Sequence, residues 1–251
     1  MRLDHVAVAV RDHRPALAAL TGELGGLVIS GGAPPRAGYR SLQVRLGRGT
    51  DGMTVEVLEP ADVDHNDFLE RFLAANGDGP HHVTFKTDDI ESELARLRSL
   101  GIEPVGIDFR DPSWREMFIH PRDAHGTVIQ IAQTDAVFPP MDEWLAGLPE
   151  TLEIFDGSAW WDESAVREPA SDPATLQRVV IETPDRTAGD PFYSEVLGSE
   201  HVALAGHSDH RWPGGSIRLV DADVDRPRVG WLETAGGSAT FTGVRFVGVG
   251  S

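Results

Sequence analysis

The sequence predicts an α+β fold: two paired βαβββ units followed by a degenerate, truncated C-terminal βαβββ module. Three observations predict it. A short phrase occurs twice, as LDHVAVAVRD at residues 3–12 and as PHHVTFKTDD at 80–89; each sets a His before an alternating run and ends on an acidic residue. Each phrase leads into a helix-period stretch and then into three strand-like runs divided by Gly and Pro. A weaker copy of the phrase, LQRVVIET, starts at residue 176.

The elements follow in order. LDHVAVAV alternates as a strand does. DHRPALAALTGELGG opens on an Asp cap and stops at Gly-Gly, the signature of a helix. LVIS, SLQVRLG and MTVEVLEP complete unit one, residues 1–60. In HNDFLERFLAANGDG, Phe68, Leu69, Phe72 and Leu73 fall at helical spacing, so a connecting helix packs on its own domain. Unit two, residues 80–133, repeats the pattern with HHVTFKT, the capped helix DDIESELARLRSLG, and strands at IEPVGIDF, REMFIHP and TVIQIAQ. Residues 134–175 read as a Pro-rich, acidic linker with one short helix, PMDEWLAGL. In the partial module, 176–251, GDPFYSEVLG is the helix and SEHVAL, SIRLVDA and RVGWLET are strands. FTGVRFVGV then resembles the first strand of a fourth unit, and GHSDHRW between the strands reads as a flexible, Gly-rich loop.

Composition narrows the partners. The formal net charge is −18, which disfavours nucleic acid and anionic membrane, since both need clustered cations. No apolar run is long enough to span a bilayer. There is no Cys, which removes disulfides and thiolate metal sites. MRLDHVAV enters a strand pattern at once, so no signal peptide is expected. The expectation is a cytoplasmic protein that handles a small molecule, with a homodimer compatible with that reading.

The histidines supply the chemistry. Strand alternation places His5, Ala7 and Ala9 on one face, and His82, Thr84 and Lys86 on the matching face of unit two. If the units pair pseudo-symmetrically, His5 and His82 meet, and the last strand of each unit adds Glu56 and Gln130 at equivalent positions. Two imidazoles, a carboxylate and an amide suit one divalent metal ion such as Zn, Ni, Co, Mn or Fe, with positions left open for water or substrate. His81 is offset by one residue and serves a hydrogen-bonding role on the other face; Glu59 is expected at an exposed strand end. Trp114, Arg115, Arg40 and Arg45 are placed where they could contact an acidic or planar substrate, and Ser41 is a further candidate substrate contact.

LDHVAVAVRD, VEVLEP, FLERFLAANGDGPHHVTFKTDDIES and MFIHPRDAHGTVIQI resemble, segment by segment, the vicinal oxygen chelate superfamily of glyoxalases, bleomycin-resistance proteins and dioxygenases, and within it the methylmalonyl-CoA epimerase branch. The likeness covers about residues 1–133. It implies a metal-lined cup with His5, Glu56, His82 and Gln130 at the metal positions. Two departures stand out. The last metal position is usually Glu and here is Gln130. The acid/base Glu of the epimerases falls at or near Ser41, and neither a Ser without a base nor an amide removes a proton from carbon. The favoured reading is a metal-dependent lyase or isomerase acting beside a carbonyl, such as that of a thioester, through metal-stabilised enolate chemistry in which Glu56 and Gln130 take part. The rivals are a non-catalytic binding or resistance protein of the same fold, and an Fe(II) ring-cleaving dioxygenase. Arg178 and Arg245 stand in the C-terminal half where His5 and His82 stand in the first, with Gly230 or a neighbour in place of Glu56, so no metal is expected there.

Overall fold

The computed structural model describes residues 1–49, 52–135, 139–147 and 172–250. Most of the expected linker, residues 148–171, lies outside the described residues, including Trp160 and Trp161. The strands of the first half are β1 (Arg2–Ala9), β2 (Leu27–Gly32), β3 (Tyr39–Arg45), β4 (Thr54–Pro60), β5 (Gly79–Lys86), β6 (Val105–Asp108), β7 (Arg115–Ile119) and β8 (Val128–Gln133). They form one sheet in the order β2-β3-β4-β1-β5-β8-β7-β6, two four-stranded halves with β1 and β5 side by side. The helices are α1 (His13–Leu17), which runs on into a π-helical turn at Ala18–Glu23, α2 (Phe68–Asn76), α3 (Ile90–Ser99) and α4 (Met141–Gly147). No described helix is long and apolar enough to cross a membrane.

Local chemistry explains the element ends. Asp12 caps α1 by accepting from the Arg14 amide, and Asp89 caps α3 by accepting from the Ser92 amide. At the end of α3, Gly101 takes a left-handed φ of 80° and Ile102 N–H returns to the Leu97 carbonyl, a closure that suits Gly because it carries no Cβ. β1 is buried on both faces, which its Val and Ala side chains allow at the centre of a sheet.

In the second half, β9 (Thr175–Thr183), α5 (Arg186–Pro191, continued as a π-helical turn at Phe192–Val196), β10 (Glu200–Leu204), β11 (His207–Trp212) and β12 (Gly215–Asp221) make a complete βαβββ unit. β13 (Arg228–Ala235), β14 (Ala239–Phe241) and β15 (Val244–Val249) follow. The sheet order is β10-β11-β12-β9-β13-β15-β14. Two expectations are corrected. GHSDHRW is a strand rather than a loop, because β11 pairs on both sides and buries Ser208, Asp209 and His210. The strand beside β9, in the place β5 takes beside β1, is β13, and FTGVRFVGV supplies the hairpin β14–β15. Arg245 and Gly230 therefore do not occupy the counterparts of His82 and Glu56: Arg245 lies on β15, and Gly230 on β13.

The chain divides into two compact units. One comprises Met1–His5, His81–Val137 and Gln177–Leu232. Its core includes Val83, Phe85, Ile119, Ile129, Ile131, Val179, Ile181 and Leu219, and the Phe85 ring meets Trp212 edge-on at 4.9 Å. The other comprises Val6–Pro80, Phe138–Leu176 and Glu233–Ser251. There, Leu69 and Leu73 of α2 bury against Ala7, Ala9 and Leu58, with Phe68 and Phe72 alongside, as the helical spacing predicts. Met141 of α4 joins Leu27 and Ile29.

Candidate metal centre

His5 and His82 stand on the neighbouring strands β1 and β5, both nearly fully buried, with ring centroids 5.8 Å apart. His5, Glu56 and His82 each offer one ligand atom, and these atoms lie within 4.8 Å of one another. The carboxylate comes from β4. Two imidazoles and a carboxylate at that spacing fit one borderline divalent cation.

Each imidazole is held by a neighbour. His5 Nδ1 donates to Asp4 Oδ2 at 2.9 Å. Burial alone would raise the Asp4 pKa, but the His5 hydrogen bond and the Lys86 ammonium at 3.0 Å outweigh it and bring it down to about 2. Asp4 is therefore an anion that fixes the His5 tautomer and directs Nε2 into the site, as carboxylates behind metal-binding imidazoles do. His82 Nδ1 lies 2.8 Å from His81 Nδ1, so His81 has the hydrogen-bonding role its offset implies, but turned onto His82. Burial first, then repulsion from His81 and His5, holds the His82 pKa well below the ordinary value, in the neutral form that binds metals.

Two residues that sequence reasoning left without a role connect the site. Thr84 Oγ1 lies 2.9 Å from His5 Nε2 and donates to Gln130 Oε1 at 2.6 Å. The Gln130 amide nitrogen donates to Glu116 Oε2 at 2.6 Å, and the same oxygen accepts from Trp114 Nε1 at 2.8 Å. A hydrogen-bonded chain thus runs from Thr84 through Gln130 to the Glu116 carboxylate, with the lone pair of His5 Nε2 beside the Thr84 oxygen. Trp114 walls it, its ring centroid 6.4 Å from that of His5.

The ladder registers locate Glu116. On β3–β4, Gln43 faces Glu56 and Ser41 faces Leu58. On β7–β8, Phe118 faces Gln130 and Glu116 faces Ala132. With Glu56 and Gln130 as equivalents, Glu116 is the unit-two counterpart of Ser41. The carboxylate missing at position 41 stands at the matching place in the other unit.

Three of the expected substrate contacts lead elsewhere. Arg40 lies opposite Glu59, on the other face of the ladder from Glu56, and pairs with that carboxylate. Glu59 is buried rather than exposed: Arg40 holds one of its oxygens, and the His13 amide and ring nitrogen hold the other, each at 2.7 Å. Arg115 pairs with Glu91 of α3 and lies over the Phe109 ring at 4.7 Å, on the opposite face of β7 from Glu116. Arg45 donates to the Pro139 and Gly49 carbonyls. Ser41 is half-buried on the Glu56 face of its ladder.

A sheet of paired βαβββ units with imidazoles on the neighbouring strands β1 and β5 is the arrangement that the sequence resemblance implied. The model of the glyoxalase/bleomycin resistance protein/dioxygenase superfamily matches residues 4–118, and the chain belongs to that family, near its epimerase branch. It is 30% identical over 135 residues to the mitochondrial methylmalonyl-CoA epimerase of Bos taurus, covering 53% of this chain and 74% of that protein. It is 28% identical over 138 residues to the ethylmalonyl-CoA/methylmalonyl-CoA epimerase of Cereibacter sphaeroides, covering 53% of this chain and 97% of that one. The whole chain shares its fold with a solved hypothetical protein from Staphylococcus aureus, at 12% identity, 99% coverage of both chains and a TM-score of 0.65.

Proposed function

We propose that the chain is a metal-dependent isomerase or lyase that moves a proton at the carbon beside the carbonyl of a small acyl thioester. The observation that carries this reading is the Glu116 carboxylate held by the Gln130 amide, whose carbonyl Thr84 in turn holds beside the candidate ligand His5. His5, Glu56 and His82 would hold the cation, which supplies Lewis acidity to a carbonyl oxygen and so acidifies the adjacent C–H. Glu116 takes that proton and returns it. The Gln130 amide and the Trp114 indole both donate to Oε2 and fix the carboxylate's direction. Thr84 keeps the Gln130 carbonyl turned away from Glu116, so that the amide presents its donor to the base. The thioester is favoured because relatives at 28–30% identity are named as methylmalonyl-CoA epimerases.

A binding protein is the second reading. It is favoured by Ser41, which stands at the position of the family's acid/base Glu and removes no proton from carbon without a base of its own. The discriminating experiment incubates metal-loaded protein with methylmalonyl-CoA and related acyl thioesters in deuterated water and follows label at the α-carbon. Exchange that outpaces epimerisation is the expected result for a site with one base. Tight binding of a thioester with no exchange would favour the binder.

A further inference from the structure

We propose a second metal site, for Zn²⁺ or a similar borderline divalent ion, formed by Asp190, His201 and His210 in the C-terminal half. Each of the three offers a ligand atom, and these atoms lie within 4.8 Å of one another. The site follows from strand pairing. His201 on β10 and His210 on β11 are direct cross-strand partners, so their side chains leave the sheet on one face, where the rings stack nearly parallel with centroids 4.7 Å apart; an ion in the plane of both rings is reached by a turn of the more exposed His201 ring. Asp190 of α5 reaches both: Oδ1 lies 3.0 Å from His210 Nε2, and Oδ2 lies 3.6 Å from His201 Nε2. Two ligand atoms on a tetrahedral zinc are about 3.3 Å apart, from bonds of about 2.0–2.1 Å, so a cation between the carboxylate and the two imidazoles needs only a small closing of the three side chains.

The supporting contacts are those of a metal site. Ser199 Oγ lies 2.8 Å from His210 Nδ1 and engages that nitrogen, which leaves Nε2 as the ligand atom. Ser208 Oγ donates to Asp190 Oδ2 at 3.1 Å and itself accepts from Arg186 Nη1 at 2.9 Å, which orients the carboxylate. His210 is fully buried, whereas the His201 side chain is 30% exposed, so one side of the cluster opens to solvent for a water or exogenous ligand. None of the three residues corresponds to His5, Glu56 or His82: the cluster joins a helix to the edge pair of its sheet rather than two central strands. An ion here ties edge strand β10 to α5 and stabilises that unit.

The test uses the full chain, stripped with a chelator, reloaded with Zn²⁺, dialysed and analysed for bound metal, with folding checked by circular dichroism. Wild type is expected to hold about two ions, and His201→Ala and His82→Ala about one each. The double variant is expected to hold none, and Zn²⁺ is expected to raise the melting temperature of His82→Ala but not of the double variant. Asp190→Asn, which keeps the side-chain shape, should lose the same ion as His201→Ala. Loss of one ion in His201→Ala supports the site even if His82→Ala behaves as wild type, so the two centres are judged separately. Wild-type metal content in both His201→Ala and Asp190→Asn overturns it.

Discussion

The Gln130 amide donates a 2.6 Å hydrogen bond to Glu116 Oε2, which ties an amide on β8 to a carboxylate on β7, the neighbouring strand of its own unit. Replacing Glu116 with Gln should leave metal content unchanged and slow α-proton exchange by ~10²–10⁴-fold, the ordinary contribution of a positioned base. Deuterium incorporation measured beside metal analysis checks both halves of this prediction.

His82→Ala removes a ligand and should abolish stoichiometric binding at the first centre, whereas Arg178→Ala, whose guanidinium bonds Ser216, should not. Thr84→Val and Asp4→Asn act one shell out, on the orientation of Gln130 and His5. Each should weaken metal affinity by ~10–100-fold. Titration calorimetry on stripped protein measures all four.

Acid should destabilise the metal-free protein through His82. Its imidazole resists protonation in the folded state, while the unfolded chain takes up a proton near the ordinary value of 6.5. Below that pH the unfolded state binds more protons, so stability is fully present above about 6.5 and falls as pH drops, by at most about 1.4 kcal/mol per pH unit for this one group. His82→Gln should flatten that part of the slope, as urea unfolding at pH 5, 6 and 7 would show. Asp4 contributes in a lower window: its stabilisation holds above about 4 and is lost as pH falls towards 2.

Glu59 tests a structural role. Glu59→Ala strands the His13 amide in a buried setting and frees Arg40, at a cost of about 1–3 kcal/mol in unfolding free energy, with metal content unchanged.

The repeat exposed much of this in the sequence. The proximity of His5, His82 and Glu56 was legible because duplication sets the two imidazoles at matching positions, and Glu56 and Gln130 likewise, on alternating strands. Glu116 was not, because the register of β7 on β8 depends on the turn between them, and without it one cannot tell which of Arg115 and Glu116 shares the sheet face of Gln130. Glu59 looked exposed because its partners His13 and Arg40 are distant in sequence and meet it only across the ladder and at the start of α1. β11 looked like a loop because its buried positions are Ser208, Asp209 and His210, polar residues whose hydrogen bonds are invisible until α5 is in place.

The shift from position 41 to position 116 has a consequence for robustness. Glu116 and the Gln130 amide that holds it stand on the adjacent strands β7 and β8, so a one-residue slip of that single ladder would part the pair and turn the carboxylate to the other face of the sheet.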